Sequence, residues 1–148
     1  MHVSLKSGAG FTLTEILLVV AVLAIIMSFS IPLYESFQSK SDLGSATLSA
    51  IHAMRRAEEL SRASDGDTTW GIRFVNSSLV LFRGTTFASR DPNFDENFEI
   101  SPKITVTDTN EIIFQKFSGQ PPGDTTTTLT TAVGEITIIH VNPKGTIT

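Results

Sequence analysis

The hydrophobic pattern changes character twice along the chain. From Ile16 to Tyr34 there are 19 residues without a charge, bounded by Glu15 and Glu35. Leu, Ile, Val, Ala, Met and Phe fill this run on every helical face, which does not fit a soluble amphipathic helix. As a helix it would measure about 28 Å, close to the thickness of a bilayer core. After Asp42 the pattern becomes periodic. Leu43, Ala46, Ala50, Ala53, Met54, Ala57 and Leu60 recur at three- and four-residue intervals, and Ser45, Ser49, His52, Arg55, Arg56, Glu59 and Arg62 fall on the other face. This spacing predicts an amphipathic helix over 40–63, with its apolar stripe packed on a globular domain. The turn residues "SDGD" at 64–67 end it.

The remainder reads as strands. "TWGIRFV" and "LVLFRG" flank "NSS" and predict one hairpin; "KITVT" and "EIIFQKF" flank "DTN" and predict a second. "TLTTAV", "EITIIHV" and "GTIT" complete a strand-rich end, with "NPKG" as a turn and "SGQPPGDTTTT" as a polar loop. The order predicts an α+β fold: a long N-terminal helix, membrane-spanning in its first half and amphipathic in its second, packed across an antiparallel β-sheet. Trp70 is expected as a core anchor.

Three readings compete for the apolar run. A secretory signal peptide needs small residues at a cleavage site after the core, and "SFSIPLYESF" offers no A-x-A pattern. A plain membrane anchor explains the length but leaves Glu15 at its mouth unexplained, since an acid in lipid is costly. Pro32 removes an amide donor and predicts a kink near Ser28 to Pro32. Lys6 precedes the run, which would keep that end cytoplasmic and place the rest of the chain outside.

The third reading comes from a resemblance. "MHVSLKSGAG", then Phe11, then Glu15 as the fifth residue of "FTLTE", then the apolar run, resembles the class III signal of type IV prepilins and pseudopilins. Pro32 also falls where members of that family often carry a proline. The resemblance implies a leader over 1–10, a transmembrane and assembly helix over 11–38, and a pilin-like globular domain over 39–148. It implies cleavage between Gly10 and Phe11 by a prepilin peptidase and N-methylation of Phe11. It also implies assembly in which the Phe11 amine faces the Glu15 carboxylate of a neighbouring subunit. Two charges that are costly singly in a low-dielectric core offset each other when paired, and the pair would fix register. An acid at Glu15 also suits the positive end of a helix dipole, and both roles can hold together. A looser likeness, resting on "AIHAMRRAEELSRAS", "TTWGIRF" and "PKGTIT", is to the GspH/FimT group of minor pilins and pseudopilins.

Composition narrows the chemistry. There are no cysteines, which excludes disulfides, thiolate metal sites and a cysteine nucleophile. Three scattered histidines and the lack of a G-x-S-x-G, P-loop or H-E-x-x-H pattern point away from an enzyme and from any cofactor. Asp91, Asn93 and Asp95 in "DPNFDEN" alternate like the opening of a calcium loop, but Glu96 stands where such a loop needs glycine and Pro102 where it needs glutamate. A solvated acidic loop is the better expectation. With 11 basic and 15 acidic side chains the formal charge is −4, and loss of Lys6 with the leader would make it 10 − 15 = −5. Lys144 is the one cation of "HVNPKGTIT", so DNA is a possible but not a favoured partner.

The leading expectation is therefore a minor pilin or pseudopilin subunit of a type IV pilus or a type II secretion pseudopilus. It would be held in the inner membrane with its C-terminal domain outside the cytoplasm, and then built into an extracellular or periplasmic filament. Its partners would be the peptidase, other pilin or pseudopilin subunits and, before assembly, membrane lipid. Two alternatives stand beside it: a DNA-binding minor pilin of a transformation pilus, and a membrane-anchored binding domain that never assembles.

Overall fold

A computed structural model describes residues 10–108 and 111–148, with side chains of 29–33 excepted. One helix, α1, runs Leu13–Arg62. Seven strands follow: β1 (Trp70–Val75), β2 (Ser78–Arg83), β3 (Glu96–Glu99), β4 (Ile104–Asp108), β5 (Glu111–Phe114), β6 (Thr125–Thr131) and β7 (Ile136–Val141). The chain divides into two compact units, residues 1–36 and Phe37–Thr148.

In the first unit the described side chains from Phe11 to Ser28 are all exposed. The Ser28 hydroxyl donates to the Ala24 carbonyl at 2.8 Å, one turn back along the helix. Helical assignment runs on through Pro32. The kink expected there concerns residues 29–33, whose side chains lie outside those described, and the leader over 1–10 is described only at Gly10. Among the described residues, no helix is long and apolar enough to cross a membrane. Five side chains of the 19-residue run, 29–33, lie outside those described.

The second unit is α+β, with two antiparallel sheets in place of the single sheet expected. One sheet has the order β3-β2-β1-β5 and the other β4-β6-β7. The first predicted hairpin is present: β1 and β2 pair from Trp70↔Arg83 to Val75↔Ser78 around Asn76 and Ser77. Asn76 takes a positive φ of 50°, which asparagine tolerates better than most residues. The second predicted hairpin is absent. β4 pairs with β6, whereas β5 turns away and pairs with β1, setting Phe114 beside Trp70 and Ile112 beside Ile72. Burial explains the parting, since Ile112 and Phe114 reach the core only on the edge of β1. β3, read from sequence as loop, pairs with β2 through Leu79↔Phe98. "GTIT" forms only a single bridge, Val141↔Ile147.

Both sheets close on the same stripe of α1. Leu43, Ala46, Ala50, Ala53, Met54 and Ala57 are buried against Trp70, Ile72, Phe74, Leu79, Leu81, Ile112 and Phe114 of the first sheet and Leu129, Ile139 and Val141 of the second. The alanines keep the helix surface low, so backbone can approach closely. Met54 is the one large side chain in the middle of the stripe and is fully buried. Gly71 answers to the other side of the first sheet. A Cβ there would lie 2.8 Å from the Ile112 carbonyl oxygen and 2.8 Å from the Phe82 ring, so the glycine after Trp70 makes room for Phe82.

Ser61 is a buried polar residue that the periodicity does not reveal. Its hydroxyl accepts from the Trp70 amide at 2.9 Å and donates to the Phe114 carbonyl at 3.0 Å, and its own carbonyl accepts from the Phe117 amide at 3.0 Å. One side chain thus ties the end of α1 to β1 and β5. A chain beginning at Ser39 should fold as a soluble monomer, and one beginning at Asp65, stripped of the stripe, should not. Within the Ser39 chain, Ser61→Ala should lower stability by about 1–3 kcal/mol through two buried partners left unpaired. Ser45→Ala, on the exposed face, should stay within about 0.5 kcal/mol. Thermal and denaturant melting of the variants checks both; equal melting would show that Ser61 ties nothing.

Candidate functional site

The sequence singles out the first residues of α1, and the structure gives them a specific arrangement. Gly10, Phe11 and Thr12 precede the helix, and Phe11 is 81% exposed. The Thr12 carbonyl accepts the first helical hydrogen bond, from the Ile16 amide at 3.2 Å. The Thr12 hydroxyl accepts from the Glu15 amide at 3.2 Å. Glu15 reaches back, and its Oε2 accepts from the Thr12 amide at 3.0 Å and from the Thr12 hydroxyl at 3.0 Å. This is a reciprocal capping box, in which two backbone donors that the helix cannot satisfy are satisfied by two side chains. The carboxylate also lies over the positive end of the helix dipole.

Glu15 stands out in the sequence by its charge, whereas Thr12 does not. The signal was present: T-x-x-E directly before an apolar run is the capping-box spacing. Beyond the box the helix presents Ile16, Leu17, Leu18, Val19, Val20, Val22, Leu23, Ile25, Ile26 and Met27, all exposed. Water is a poor solvent for such a surface, at about 25 cal/mol for each Å² of apolar area.

The acidic loop is built differently from a calcium site. Asp91 accepts from Arg83 Nη2 at 3.1 Å through Oδ2, while its Oδ1 accepts from the amide and side chain of Asn93 at 3.1 and 3.0 Å. Asp95 receives Arg90 Nε on both oxygens, the closer at 2.8 Å. Glu96 takes a two-pronged contact from Arg56 of α1, at 2.8 and 2.6 Å, and this contact holds the guanidinium proton more firmly than usual. Of the candidate ligands, Asp91 and Asp95 are therefore engaged by arginine, and Asn93 donates to Asp91. Among the described residues no group of three acidic or histidine side chains could hold a metal ion.

The same loop supplies a small second core. Phe87 meets Phe82 edge-to-face at 5.5 Å, Arg90 stacks over its ring at 3.8 Å, and its amide donates to Glu111 at 3.0 Å. Glu111 in turn pairs with Arg73 at 2.6 Å, and Arg83 stacks on Phe94 at 3.4 Å. Arg56, Arg73, Arg83 and Arg90 all face carboxylates of the chain, which leaves them poorly placed to gather phosphates. Lys144 lies exposed in a turn closed by Asn142, whose Oδ1 accepts from the Lys144 and Thr146 amides. Trp70 is buried, and its ring nitrogen donates to the Asp65 carbonyl at 3.0 Å, which makes it a core anchor.

Two fimbrial proteins of Pseudomonas aeruginosa are each 29% identical to this chain over 105 residues, covering 65% of it and 68% of theirs. No family profile matches the chain, and no solved structure does. The likeness supports a pilin family, and the α+β unit, a helix packed on antiparallel sheets, fits a pilin-like fold.

Because arginine already occupies the acidic loop, millimolar calcium should leave the melting temperature of the Ser39 chain unchanged. A ligand that bound the folded state would raise it. Arg90→Ala, which frees Asp95 and uncovers Phe87, should lower it. A calcium-dependent rise in the unsubstituted chain would show that the loop exchanges its arginines for a cation.

Proposed function

We propose that this chain is a minor pilin or pseudopilin subunit of the GspH/FimT type, cleaved after Gly10 by a prepilin peptidase and built into a type IV pilus or a type II secretion pseudopilus. The observation that carries this reading is the first stretch of α1, apolar and exposed on every face, with one carboxylate at its start. An apolar cylinder of that kind needs cover, and lipid before assembly and neighbouring helices after it both supply it. Residues 11–38 would serve as anchor and then as filament core. Cleavage adds water across the Gly10–Phe11 peptide bond, leaving a carboxylate on Gly10 and an ammonium on Phe11. That nitrogen, N-methylated, would pair with Glu15 of the next subunit.

Phe11 and Gly10 suit the first step because they lie outside the helix and are exposed. The pairing of Arg56, Arg73, Arg83 and Arg90 within the chain favours a structural subunit over one that binds DNA.

Mass spectrometry of the membrane-extracted protein tests the processing: the chain should begin at Phe11 and carry a methyl group. Gly10→Val should block cleavage and leave full-length protein in the membrane. A Cβ at Gly10 meets nothing within 4 Å, so the substitution leaves the fold alone and reports the peptidase. Normal cleavage of that variant would sink the prepilin reading.

Glu15→Gln separates the two tasks of Glu15. Glutamine also closes a capping box, so insertion and cleavage should persist. The charge is gone, so the Phe11 amine of a neighbour would lose its partner in a dry filament core. Incorporation, measured as the ratio of subunit in sheared filaments to subunit in membranes, should fall by about a hundredfold or more. An unchanged ratio, with cleavage confirmed, would leave Glu15 without an assembly role.

A further inference from the structure

We infer that Thr12 is a positioning residue for processing: its capping box with Glu15 fixes where α1 begins and so holds the Gly10–Phe11 bond outside the helix, in a form a peptidase can grip. The inference rests on the processing reading above. It concerns a different residue and a different physical step.

The first amides of a helix have no partner within it, so an uncapped start would recruit upstream carbonyls and wind further. Nothing in the side chains of Gly10 and Phe11 stops that winding. Thr12 does, because a capping residue adopts a non-helical backbone while its carbonyl accepts the first helical bond. Here that carbonyl takes the Ile16 amide, and the hydroxyl takes the Glu15 amide. Glu15 locks the cap from the other side by holding the amide and the hydroxyl of Thr12 at once. Helix begins at Leu13, the third residue past the scissile bond. Proteases bind their substrates extended, and a bond wound into a helix must first be unwound. The capping box removes that step. Gly10, Phe11, Thr12 and Glu15 also line an open notch of about 310 Å³.

Capping and direct recognition of the Thr12 side chain make opposite forecasts for two substitutions. Thr12→Val keeps the shape and removes the cap. Thr12→Asn changes the shape and keeps the cap, asparagine being at least as good there as threonine. The full-length chain in membranes is exposed to the peptidase, and the rate of appearance of the Phe11 end is followed by mass spectrometry. Thr12→Val should slow cleavage about fivefold, the ordinary worth of a cap converted at tenfold per 1.4 kcal/mol. Thr12→Asn should be cut at close to the original rate. Amide exchange at Glu15 in detergent should speed up in Thr12→Val and stay slow in Thr12→Asn.

A Thr12→Val chain cut as fast as the original would overturn the inference while leaving the processing reading intact. So would a Thr12→Asn chain cut as slowly as Thr12→Val, since shape and not capping would then decide. If the original chain were not cut between Gly10 and Phe11 at all, the processing reading would fail and the inference with it.

Discussion

The second half of α1 and the sheets depend on one constraint: the helix surface that faces them must be nearly flat. Ala46, Ala50, Ala53 and Ala57 provide that surface, and two separate sheets share it. A helix lined by leucines would hold the sheets farther off and open gaps between Met54, Ile72 and Leu129. Burial of small residues gives little free energy per side chain, so the strands supply the bulk. Phe114, Leu79, Leu81, Ile139 and Val141 are the residues that fill the space the alanines leave. Ser61 completes the same design at the helix end, where a hydroxyl small enough to be buried bonds to two strands at once.

That division of labour explains what the sequence made legible. The stripe from Leu43 to Leu60 is visible because helical period and burial coincide: Leu43 to Ala57 are buried and Leu60 packs at the margin. The hairpin of β1 and β2 is visible because both strands are apolar and only a short turn separates them. The pairing of β5 with β1 was not visible. "KITVT" and "EIIFQKF" are close in sequence and look like partners, yet the core lies beside Trp70 and Ile72, and only three-dimensional burial draws β5 there. β3 was hidden for a different reason. Glu96 and Glu99 mask a strand of four residues, whose contribution is Phe98 and whose glutamate serves an arginine of the helix.

Charge in this chain is spent locally. Arg83, Arg90 and Arg56 each meet a carboxylate of the loop between β2 and β3 or of β3 itself, and arginine planes cover Phe87 and Phe94. The exposed Arg56–Glu96 pair adds little stability, on the order of 1 kcal/mol or less, and the other two pairs are part-buried. Their effect is on shape: they fold an acidic stretch down over aromatic rings. Read as a string, "DPNFDEN" looks like a row of cation ligands. In three dimensions its partners come from "FRG" and "SRD" nearby and from "MRR" on the helix. Alternation of acids predicts a metal only when no arginine is within reach, and reach is a property of the fold.

The beginning of α1 shows the opposite case, where a short sequence does determine local geometry. Thr12 and Glu15 need nothing from the rest of the chain to form their box, because all three hydrogen bonds join residues three apart. A local motif of this kind survives a change of surroundings, from water to lipid interface to a packed filament. Under the proposed function it would serve at each stage of a subunit's life without being rebuilt. In the free chain the carboxylate is already committed to the Thr12 amide and hydroxyl through one oxygen, Oε2. A carboxylate has acceptor capacity left on its second oxygen. If the proposed pairing holds, a neighbour's ammonium can thus be met without breaking the cap. This gives the sequence a physical reason to place a glutamate at the mouth of an apolar run. Among acids, glutamate has the reach to close the box from the third helical position, and its charge is what an amine in a dry core requires.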